Sequence, residues 1–163
     1  MPFHPRTALL SLLLATSASV GAAPFGLDAL PAEQCDAEDE NNCVASDEKD
    51  SKWVLVFEQQ SDSVEYESRA VISIDGAQIA LRRTGEQITE GKLSKKKPSL
   101  GERHRYFFAS QDGKLKVEMD ATVTSTSCEV TTESCCGDDF KGKLLVERGK
   151  QRIVVPIRYY RGG

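Results

Sequence analysis

From Lys52 onward, separate runs carry apolar residues at every second position, the period of a strand with one buried face, with polar stretches between them. Leu115, Val117, Met119, Ala121 and Val123 fall in one phase, while Lys116, Glu118, Asp120, Thr122 and Thr124 fall in the other. That run predicts a half-buried antiparallel strand and excludes a helix, whose apolar positions would repeat at three and four. The same pattern predicts strands over Trp53–Phe57, Tyr66–Ile74, Gln78–Arg82, Arg105–Ser110, Phe140–Val146 and Ile153–Tyr159, with a short one near Ile88. Asp75-Gly76 and Asp112-Gly113 are two-residue hairpin signals, and Arg148-Gly149-Lys150 marks a third turn. Pro156 lacks an N–H and belongs at a sheet edge or a bulge. Gly142 interrupts its strand. Six or seven strands joined mainly by short hairpins predict an all-β domain, either an antiparallel sandwich or a small barrel.

The N-terminus follows a different pattern. One positive charge, Arg6, precedes an apolar run from Ala8 to Leu14, and small residues follow to Ala23. This is the form of a secretory signal peptide, with cleavage expected after Ala22. The run is too short to span a bilayer, which takes about 20 apolar residues. No later stretch is apolar enough to do so, and no cysteine adjoins the cleavage point, so no stable membrane anchor is expected. Residues 1–22 are therefore read as the signal peptide, 23–50 as an acidic, poorly ordered arm, and 51–163 as a single β domain.

Charge separates the last two parts. Residues 23–50 carry nine acids and one lysine, whereas 51–163 carry 19 basic and 16 acidic residues. An acidic stretch without period or aromatics reads as solvated chain. The mature chain is net acidic, which argues against a nucleic-acid partner, since phosphate contacts need clustered Lys and Arg.

Five cysteines, Cys35, Cys43, Cys128, Cys135 and Cys136, in an exported chain point to disulfides. Five residues forming two bonds allow many arrangements. Proximity favours Cys35–Cys43, and Cys128 with either Cys135 or Cys136. The odd cysteine is left free or links two chains into a dimer. The spacing lacks the paired arms of a zinc site and the Cys-x-x-Cys of a redox centre, so no metal and no cofactor are expected.

No catalytic motif stands out. His104 is the one histidine after cleavage and has no nucleophile turn beside it. Asp138-Asp139 lacks calcium-loop spacing. What remains are the basic pair Arg82-Arg83 and basic residues next to aromatics, Arg105-Tyr106 and Arg158-Tyr159-Tyr160-Arg161. Arg and Tyr are favoured at binding hot spots. The expectation is a periplasmic or extracellular, non-enzymatic binding module whose partner is a protein or an anionic envelope ligand. The alternatives are an inhibitor of a host or competitor enzyme, in a lysozyme- or protease-inhibitor-like role, and a hydrolase acting on envelope polymers.

Overall fold

The computed structural model describes residues 24–35, 43–58, 68–91, 99–127 and 137–162. Nine strands appear in it: β1 Leu27–Asp28, β2 Cys43–Ser46, β3 Trp53–Phe57, β4 Arg69–Ile74, β5 Ala77–Thr89, β6 Arg103–Ser110, β7 Leu115–Thr126, β8 Gly137–Arg148 and β9 Gln151–Gly162. From β2 onward each strand pairs antiparallel with the next, and β9 returns to pair with β2. Eight strands thus close an up-and-down barrel, with β1 added against β4.

The architecture is all-β and antiparallel, as the alternation implies, but it is a barrel rather than a sandwich and exceeds six or seven strands. Two departures from the sequence reading bear on the count, the first lowering it and the second raising it. The segments around Gln78 and Ile88 are one strand, β5, which passes Gly85 through a bulge at Thr84. And β2 lies within the stretch that reads as an arm: all four of its residues are buried, so no alternation betrays it. Gly142 likewise sits inside an unbroken ladder, where β7 approaches so closely that a Cβ would overlap the Asp120 carbonyl.

The Asp75-Gly76 hairpin forms as its sequence predicts. Both residues have positive φ, 51° and 77°, the backbone that matches strand twist in a two-residue turn. The turns at 75–76, 111–114 and 149–150 gather at one end of the barrel, the 47–52 turn stops about halfway along β9, and the strand ends that lead into the longer connections lie at the other end.

An eight-stranded barrel has an interior just wide enough for side chains to fill. Here Phe57 is the hub, with ring centroids 6.5 Å from Tyr106, 6.2 Å from Phe108 and 6.4 Å from Tyr159. Ile72, Met119, Leu144, Val146 and Ile157 are fully buried around it. At the short-turn end the interior is stopped by Phe25, with the Arg148 guanidinium 4.5 Å from its ring centroid. A second, smaller core lies outside the barrel wall. There Leu30, Cys35 and Cys43 cover Val56, flanked by Trp53 and Val71, and the Leu30 N–H donates to the Trp53 carbonyl. Cys35 and Cys43 are joined by a disulfide, as proximity suggests. Cys128, Cys135 and Cys136 lie outside the described residues.

Candidate functional site

Period-two alternation sends neighbouring residues to opposite faces of the wall, and it splits every basic–aromatic pair singled out above. Arg83, Tyr106, Tyr159 and Arg161 take the inward phase. Arg82, Arg105, Arg158 and Tyr160 take the outward one.

The inward set gathers toward the long-loop end and is self-satisfied. Arg83 pairs with Glu86 at 2.8 Å and lies 5.9 Å from the Tyr106 ring centroid. The Tyr106 hydroxyl is 3.2 Å from His104 Nδ1, and His104 Nε2 is 3.1 Å from a Glu102 carboxylate oxygen. A tautomer protonated at Nε2 satisfies both contacts. The imidazole also meets Phe140 edge-on, Phe140 stacks on Tyr159 at 4.3 Å, and Arg161 sits 5.3 Å from the Phe140 centroid. His104 is only 2% exposed. Its two ring nitrogens and its ring edge are all engaged by neighbouring side chains.

On the outer wall, Arg105 is committed to Glu118 at 2.6 Å and to Gln87 at 3.1 Å. Arg82 is exposed and stands beside Arg69. The remaining two predicted residues join others that the sequence did not mark. Ladder register puts Trp53, Ala45, Arg158 and Lys141 in one row across β3, β2, β9 and β8. Ala45 is small and flanked by large side chains, so the row has a low floor there. The result is an open groove of about 690 Å³, lined among others by Trp53, Lys52, Arg158, Tyr160, Lys141 and Asp139.

The electrostatics of this groove are lopsided. Lys141 bridges Asp47 at 3.2 Å. Among the described residues Lys52 and Arg158 have no carboxylate partner, and Asp139 is the one acid of the lining. Tyr160 is 41% exposed, and its ring covers Gly137, where any side chain would collide with it. Such a surface can take an extended anionic ligand, with aromatic rings for its apolar faces and cations for its charges. No group of three metal-ligating side chains occurs among the described residues.

Trp53, Lys52 and Lys141 escaped the sequence reading because their partner in the groove is β2. Without that strand nothing brings Trp53 to Arg158. No protein-family model, no curated protein and no solved structure matches the chain.

Proposed function

We propose that the chain is an exported, non-enzymatic binding module that holds an anionic envelope ligand in the groove between Trp53 and Lys141. The observation that carries this reading is the pair of cations, Lys52 and Arg158, with no carboxylate partner among the described residues, beside Trp53 and Tyr160 over the Ala45 floor. Charged side chains on a protein surface ordinarily meet opposite charge or lie scattered. Here two cations and two aromatics share one concavity, the arrangement that gives an interface its anchors. The expected export follows from Arg6, the Ala8–Leu14 run and the small residues before Ala23.

Titration of the mature chain with polygalacturonate, an acidic polysaccharide, against neutral dextran tests the reading. Binding is expected for the acid polymer alone and weakens as salt rises. Arg158→Ala should weaken it roughly fivefold, about 1 kcal/mol, as loss of one exposed charged contact does. Ala45→Gln, which raises the floor without removing a charge, should weaken it as well. Equal binding of both polymers, or indifference to both substitutions, refutes the proposal.

A further inference from the structure

The barrel wall is complete only in its upper half, toward the long loops. There the strand order runs β4, β3, β2, β9. In the lower half β2 and β3 have ended in their 47–52 turn, β1 occupies the place next to β4, and among the described residues no strand occupies the place between β1 and β9. Four strands stand above and three below. By strand count the wall is one strand short between Leu27–Asp28 and the first half of β9, which are not paired with each other.

Both borders of that place offer main-chain groups. The Asp47 N–H donates to the Pro156 carbonyl, so Pro156 faces β2. Alternation then turns the N–H and C=O of Val154 and Arg152 to the same side, while Ile153 and Val155 face β8. On β1, Gly26 accepts from Asp75, so Asp28 also faces β4 and Leu27 faces away, toward β9. Among the described residues no backbone hydrogen bond reaches Leu27, Arg152 or Val154 from the open side. Pro156, expected at an edge, sits where the edge begins.

Side-chain burial marks the same place. Leu144 and Val146 on β8 are fully buried, yet their ladder partners Val155 and Ile153, on the same inner face, are only partly covered, as is Leu27. The cover is lost on the side away from β8. On the outer face of this border Val154 is 53% exposed. Unpaired ladder groups beside half-covered apolar side chains are what an added strand completes.

We propose that this vacancy accepts an extended segment of a partner protein, paired to β9 at Arg152 and Val154 and to β1 at Leu27. Its alternate side chains are apolar and turn inward over Leu27, Ile153 and Val155. A second copy's β9 does not suit the place, because a vacancy bounded on both sides takes a strand with two open edges, and that β9 is already fixed to its own β8. The occupant is a free extended tail or loop.

Amide hydrogen exchange on the mature chain tests this, with the peptide acetyl-Lys-Val-Thr-Val-Thr-Val-Lys-amide as probe. Before addition, the Arg152 and Val154 amides should exchange faster than those of Ile153 and Val155. With the peptide, Leu27, Arg152 and Val154 should slow by roughly tenfold or more, while Ile153 and Val155 stay unchanged. Val154→Pro, tolerable at an edge, should abolish the effect. The same peptide N-methylated at its valines should have none, which keeps the test valid if the proline variant fails to fold. Slow exchange at Arg152 and Val154 without peptide, no protection with it, or protection that instead follows protein concentration through self-association each overturns the proposal.

Discussion

Asp120 shows how a charged residue holds a place on a wall. It points outward from β7 but is only 8% exposed, because Arg103 lies over it with Nε 2.7 Å from one carboxylate oxygen and Nη2 2.6 Å from the other. Those hydrogen bonds, more than the added attraction of Lys143, hold its carboxyl below the ordinary range near pH 4. A carboxyl whose value is lowered on folding stabilises the native state above its unfolded value, and that contribution fades as pH falls through the folded one. Asp120→Asn should therefore be less stable than the parent at pH 7 in urea denaturation, with the gap closing toward pH 3. A gap of constant size would show that the pair contributes shape and not charge. At this scale the sequence is a poor guide to roles. Tyr159 and Tyr160 read alike as aromatics among arginines, yet one is packed in the barrel and the other lies over Gly137 on the groove. Only the phase of β9, fixed by pairing to β8, separates them.

At the scale of elements, legibility follows burial. Strands with one wet face, such as β7, alternate and are plain in the sequence. β2 is covered inside by the barrel core and outside by Leu30 and Cys35, and Cys-Val-Ala-Ser carries no period. Its acidic neighbours made the segment resemble solvated chain, and with it the groove floor at Ala45 was hidden. The Cys35–Cys43 disulfide ties this outer cover to the strand. Its eight-residue separation corresponds to about 2–3 kcal/mol of chain entropy. Replacing both cysteines by serine should lower the unfolding free energy by that amount. It should also expose Trp53, which packs against the same small core, and shift its fluorescence to longer wavelength. A loss of stability without a change at Trp53 would place the effect in the unfolded chain alone.

Across the whole molecule, the two ends of the barrel are closed by different physics. The long-loop end is filled by a polar and aromatic network running from Arg83 through Tyr106 and His104 to Phe140 and Tyr159. The short-turn end is closed by one side chain, Phe25, delivered by the segment that leads into β1. Around it runs a ring of contacts. The Gly26 N–H donates to Asp75 at 2.7 Å, Asp75 pairs with Arg148 at 2.9 Å, and Arg148 lies over the Phe25 ring. Asp75 and Arg148 are 48% and 39% exposed, and a pair so wet contributes little to stability. Phe25 is 5% exposed and packs into the main core, where loss of a buried phenylalanine costs about 3–5 kcal/mol. The stopper, then, and not its clamp, carries the stability of this end. Phe25→Ala should reduce the unfolding free energy several times more than Arg148→Ala, measured by chemical denaturation at neutral pH. The clamp has its own signature: Gly26 and Arg148 hold the Asp75 carboxyl below its ordinary value, so the small penalty of Arg148→Ala should shrink as the solution is acidified. If Arg148→Ala proves as damaging as Phe25→Ala, the end is held by charge. The N-terminal segment would then be a strap tied down from outside the barrel rather than a plug seated within it.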